Sequence, residues 1–115
     1  MRDVVFYRDR NGASPIEEFL DDLPAKDAKK ITWVLQLVEE LDVIPKTYFK
    51  KLIGTDDIWE VRSQMGNNAY RLLCFIHRNH VIVLTNGFRK KTQKTSQDEI
   101  RLAERRKADW LRRSV

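Results

Sequence analysis

The sequence predicts one α+β domain over residues 1–115, in the order β-α-α-β-β-β-α. A twisted antiparallel sheet would carry an N-terminal helical hairpin and a C-terminal helix. Three observations predict it. Residues 16–41 place apolar side chains at helical spacing, and residues 58–89 switch to runs of strand length separated by turn residues. A capping sequence at Ser96 then reopens a helix.

The chain opens with Val4-Val5-Phe6-Tyr7, an apolar run suited to a first strand, and turns at Arg10-Asn11-Gly12. Ser14-Pro15-Ile16-Glu17 follows as a helix start: Ser14 caps, Pro15 takes the first helical position and Glu17 completes a capping box. Ile16, Phe19, Leu20 and Leu23 give that helix one apolar face. Pro24 fits the first turn of a second helix, with Ala28, Ile31, Val34, Leu35, Val38 and Leu41 inward and Pro45 beyond its end. Three strands are expected at Ile58–Gln64, Ala69–Ile76 and Val81–Arg89, joined by turns at Gly66-Asn67-Asn68 and Arg78-Asn79. Phe49–Ile53 reads as a short strand or an extended lead-in. The last helix is expected from about Gln97 to Leu111, with Arg101, Arg105 and Arg112 as a basic stripe.

Composition narrows the function classes. With 42% hydrophobic and 34% charged residues, 4 Gly and 3 Pro, the chain is neither collagen-like nor disordered. No apolar run approaches the roughly 18 residues that span a bilayer, and the N-terminal apolar stretch is too short for a signal peptide. A soluble cytoplasmic protein without membrane contact is therefore expected. The lone Cys74 can form neither an internal disulfide nor a structural zinc site, and sits in an apolar strand as a small core residue. His77 and His80 flank a turn and lack an obvious third ligand. No glycine-rich phosphate loop or hydrolase elbow is present, so no cofactor and no metal is expected.

The net charge of +5 is unevenly placed. Residues 44–94 hold 10 of the 22 basic side chains and only 3 of the 17 acidic ones, whereas residues 1–43 are net acidic. A strand region this basic points to a polyanion partner. Glu60 and Arg62 are two apart on one strand and share a sheet face, with Trp59 and Val61 on the other. If the strands form a meander, Arg62, Arg71 and the Arg89-Lys90-Lys91 cluster converge on one concave side. The plainer alternative is a solvated face whose charges deter edge pairing.

The stretches Lys50-Lys51-Leu52-Ile53-Gly54-Thr55-Asp56-Asp57-Ile58-Trp59-Glu60-Val61-Arg62, Tyr70-Arg71-Leu72 and Gly87-Phe88-Arg89-Lys90-Lys91-Thr92-Gln93-Lys94-Thr95 together have a recognisable form. With a final helix carrying Glu99, Ala103 and Arg105-Arg106, the chain from about Val4 to Leu111 resembles the phage-derived branch of the RelE/HigB-like toxins of type II toxin–antitoxin systems. The resemblance implies a small ribonuclease that cleaves mRNA, usually at the ribosome, and a cognate antitoxin, commonly of helix-turn-helix type, that holds it inactive in a hetero-oligomer. It matches Arg62 to a basic position, Arg71 to a catalytic arginine, and Lys90 or Lys91 to a basic residue at the end of a later strand. Glu60 stands where RelE-type toxins carry another lysine, and the tyrosine or histidine often found late in the site has no clear equivalent. The ParE-like gyrase inhibitors share the scaffold, and an inactive nucleic-acid-binding module is the blandest alternative.

RNA brings its own nucleophile, the 2′-hydroxyl. An enzyme must help deprotonate it, stabilise charge on the phosphorane-like transition state and protonate the departing 5′-oxygen. Arginine suits the second task because its fork grips two phosphate oxygens and stays charged. That assigns Arg71, with Arg62 and Lys91 beside it. The base is left open between Glu60, which alternatively only pairs with Arg62, and an amine of Lys90 or Lys91. Lys50, Lys51, Arg89, Lys94, Arg101 and Arg105 are expected as phosphate contacts that position RNA. Trp33 and Leu37 on the second helix offer a further contact surface for the antitoxin, or simple packing.

Overall fold

The computed structural model describes residues 1–114. Its elements are β1 (Asp3–Phe6), α1 (Pro15–Asp21), α2 (Ala25–Glu40), β2 (Phe49–Lys51), β3 (Trp59–Met65), β4 (Asn68–His77), β5 (Val81–Arg89) and α3 (Gln97–Arg113). Among the described residues, no helix is long and apolar enough to cross a membrane.

The α+β class is as expected, with two corrections to the sheet. Phe49–Lys51 is a true strand, so the sheet has five strands in the order β1-β5-β4-β3-β2. It is also mixed rather than wholly antiparallel, because β1 runs parallel to β5, pairing Val4 with Ile82 and Phe6 with Leu84. The helical hairpin takes the chain across to β2 at the far edge, and β3 and β4 bring it back, so that β5 arrives beside β1 with this polarity. A parallel edge needs such a long crossover, which a meander does not supply.

Ser14 caps α1 and accepts from the Glu17 amide at 3.2 Å. The Glu17 side chain turns instead to Arg8, at 2.7 Å. Helix α2 begins after Pro24 with no side-chain cap. Packing holds it: a cap contributes about 1 kcal/mol, whereas fully buried Ile31, Val34 and Val38 each contribute ~1.5–3 kcal/mol.

Both sheet faces are covered, which is why β4 and β5 read as continuously apolar. Tyr70, Leu72, Cys74, Ile82 and Leu84 pack with Ile16, Ile31, Val34 and Val38 of the hairpin. Leu73, Phe75 and Val83 pack with Ile100 and Ala103 of α3. On the hairpin face, a Cβ at Gly87 would lie 2.6 Å from Cδ2 of Phe19, so only glycine lets α1 seat there. Asp27 of α2 is buried and accepts hydrogen bonds from the Tyr70 hydroxyl and, at 3.0 Å, from Asn68. Those two donors hold its carboxyl below its ordinary value.

One irregularity positions the site. Between β4 and β5 the pairing runs Leu73 with Asn86 and then Cys74 with Leu84, leaving Thr85 as an extra residue. Such a bulge inverts which side chains face which way beyond it. It is well anchored: the Thr85 hydroxyl donates to Leu73 O at 3.1 Å, and Arg106 of α3 donates to Thr85 O at 2.8 Å.

Candidate nucleic-acid interface

Helix α3 covers only part of its sheet face. The remainder forms an open groove of about 960 Å³, bounded by β2, the centre of the sheet, residues 90–95 and the first turn of α3. Strand parity fills its floor. Lys50 pairs with Glu60, and Arg62 pairs with Arg71, so all four belong to one face. Seven cations line the groove (Lys50, Lys51, Arg62, Arg71, Lys90, Lys91 and Lys94) against a single carboxylate, Glu60. Leu52, Ile53 and Ile100 supply apolar wall.

Glu60 is buried at the centre. Its Oε1 lies 3.6 Å from Arg62 Nε and 3.7 Å from Arg71 Nε. Its Oε2 accepts the Thr95 hydroxyl at 3.0 Å. Both carboxylate oxygens are thus engaged, and the side chain orders two arginines while tying the segment before α3 to the sheet. The two Nε–H groups are buried and, among the described residues, have no hydrogen-bond partner, because the ion-pair distances exceed hydrogen-bond reach. Arg62 also donates to Lys46 O at 3.2 Å and Arg71 to Tyr70 O at 2.9 Å, so each guanidinium is aimed by the backbone.

The electrostatics follow from this crowding. Burial, and then the like charge of Arg62, lower the Arg71 guanidinium, while Glu60 opposes the shift. Burial is also the main cause that lowers the Lys90 ammonium, followed by Arg71, with Glu60 again opposing. A lysine with a reduced proton affinity beside two arginines is suited to proton transfer near a phosphate.

Of the residues singled out by sequence, Glu60, Arg62, Arg71, Lys90, Lys91, Lys50, Lys51 and Lys94 share the groove. Lys51 additionally pairs with Asp57 at 2.9 Å on the surface. Three phosphate contacts expected from sequence are not brought to it. Arg89 pairs with Tyr70 and lies on the hairpin face near Asp27, because the Thr85 bulge sends Lys90 rather than Arg89 inward. Arg101 and Arg105 are on the outward side of α3, and Arg101 pairs with Asp98 at 3.4 Å.

Thr95 was not anticipated as a site residue. Its one sequence signal is its position just before the Ser96 cap, where a groove-facing hydroxyl precedes the helix. Cys74 is fully buried, and desolvation pushes its thiol well up, as befits a core residue. His77 packs on Trp110, and His80 Nδ1 lies 2.7 Å from Arg78 O. Trp33 packs edge-on against Tyr48 yet stays 44% exposed.

Against known families, residues 18–108 match the one described as phage derived protein Gp49-like (DUF891). No curated protein matches the chain.

Proposed function

Because this chain belongs to the phage-derived Gp49-like family, we propose that it is the toxin of a type II toxin–antitoxin pair and acts as an endoribonuclease on mRNA, without a metal cofactor. The family is associated with RelE-type toxins, which supports the toxin reading. The observation that carries the RNA reading is the groove itself: seven cations around one carboxylate, with Arg62 and Arg71 ordered at its floor. Such a surface attracts a phosphate backbone without reading sequence.

In the reaction, the neutral amine of Lys90 takes the 2′-hydroxyl proton and the 2′-oxygen attacks the adjacent phosphorus. Arg71 and Arg62 grip the non-bridging oxygens as negative charge develops there. The P–O5′ bond breaks, and Lys91 returns a proton to the leaving oxygen. The products are a 2′,3′-cyclic phosphate and a 5′-hydroxyl. Glu60 acts through the arginines as a positioning residue, since both of its oxygens are engaged. The antitoxin of the pair, of helix-turn-helix type, neutralises the groove by presenting acidic side chains to it.

The test is cleavage of a translated mRNA with ribosomes, without ribosomes, and, in a separate ribosome-free arm, in EDTA. Cleavage is expected to persist and to accelerate with pH. The neutral fraction of Lys90 rises with pH, and its lowered affinity moves that rise below the ordinary lysine range. Lys90→Met should remove the rising limb. No cleavage in any arm would overturn the nuclease reading, and an unchanged limb in the variant would remove Lys90 from the proton-transfer role.

A further inference from the structure

A second, smaller cavity of about 340 Å³ opens where α2 meets the exposed edge of β3. Its walls include Lys30, Tyr48, Ser63 and Gln64, and it shares Arg62 and Arg71 with the large groove. Strand β2 pairs with β3 only from Trp59 to Val61, so the edge at Ser63–Met65 is not covered by it. Ser63 is 4% exposed, and its hydroxyl has no hydrogen-bond partner among the described residues. A buried hydroxyl without a partner in the protein is uncommon, and here it leaves a donor at the wall of the cavity.

The chemistry of this cavity differs from that of the groove. It adds a phenol ring and an unpartnered hydroxyl to three cations, Lys30 and the shared Arg62 and Arg71, where the groove sets seven cations around one carboxylate. An ammonium for a phosphate, a ring for a base and a hydroxyl for a base edge or sugar make up the contact set of a single nucleotide. The volume lies at the lower end of small-ligand sites, which span about 300–1,000 Å³. That is the size of one nucleotide. Lys30 is held in place over the Trp33 ring, 5.2 Å from its centroid, and Trp33 packs edge-on against Tyr48.

Resting on the RNA reading of the groove, we propose that this cavity is a flanking-nucleotide subsite. The RNA passes over Arg62, and the nucleotide next to the scissile bond inserts at the β3 edge. Its base stacks on Tyr48, its phosphate meets Lys30, and Ser63 donates to it. The enzyme would then select substrate by a nucleotide outside the reacting pair, through side chains that do no chemistry.

A labelled RNA octamer carrying 4-thiouridine at successive positions tests this in wild type, Tyr48→Ala and Lys30→Ala/Ser63→Ala proteins, with thermal melts to confirm folding. Binding is read by anisotropy, and the photo-crosslinked peptide is identified by mass. Loss of the stacking residue is expected to weaken binding about tenfold, and the wild-type crosslink at one RNA position is expected to fall on Tyr48. Crosslinks confined to residues 50–53 and 90–97, with affinity in both variants within twofold of wild type, would overturn the subsite. So would a wild-type protein that does not bind the octamer. The crosslink on wild type decides the matter even if a variant fails to fold. Cleavage scored in the same samples separates the two readings. Binding and a Tyr48 crosslink, with no cleavage of the octamer or of a translated mRNA on ribosomes, would retire the nuclease and support the subsite, whereas cleavage with groove crosslinks alone would retire the subsite only.

Discussion

Arg71→Ala is expected to slow RNA cleavage by about 10²–10³-fold, the typical loss when one pre-aimed donor to a transition-state oxygen is removed. Arg71 sits at the centre of β4, opposite Arg62, and is buried on the groove floor. Its fork is ordered by Glu60 and by Tyr70 O before any substrate arrives, so little reorganisation is required at the moment of reaction. Arg71→Lys should recover only part of the loss, because an ammonium cannot grip two oxygens in a plane. Single-turnover rates at saturating RNA measure the effect. A fall in affinity with an unchanged rate would make Arg71 a phosphate contact and nothing more.

Glu60→Ala is expected to have the largest effect on stability, about 3 kcal/mol, because breaking a buried ion pair strands its partner. Here two partners are stranded, Arg62 and Arg71, and the Thr95 hydroxyl loses its acceptor. For a domain of this size the loss corresponds to a fall in Tm of roughly 10–15 °C. Glu60→Gln keeps an acceptor for Thr95 and should fall between the two. It also distinguishes positioning from catalysis: with Lys90 as the proton acceptor, Glu60→Gln retains the rising limb of the pH–rate profile at a lower plateau. Disappearance of that limb would transfer the base role to Glu60.

Much of this site was legible in the sequence because strand parity is a local property. Glu60 and Arg62 alternate with Trp59 and Val61, and the structure puts the first pair in the groove and the second among the core side chains. The capping residues Ser14 and Ser96 likewise start their helices as expected. What was not legible depends on pairing between distant segments. Residues 84–90 carry no sign that Thr85 is left out of the ladder, yet that bulge decides that Lys90 enters the groove and Arg89 leaves it. The parallel pairing of β1 with β5 is hidden for the same reason, since Val4 and Val5 suit either polarity. The role of Glu60 needed Thr95, 35 residues away in sequence, to show that its second oxygen is engaged. The smaller cavity at Ser63 is invisible in sequence because it exists only where β2 stops short of covering β3.

The central claim is that the cationic groove cuts RNA. Induced expression of wild type and of Arg71→Ala, followed by mapping of mRNA 5′ ends, tests it most directly. New 5′-hydroxyl ends within coding sequences are expected with wild type, together with arrested growth, and both should be nearly absent with Arg71→Ala. Equal growth arrest by the two proteins, with no new ends in either, would contradict the claim.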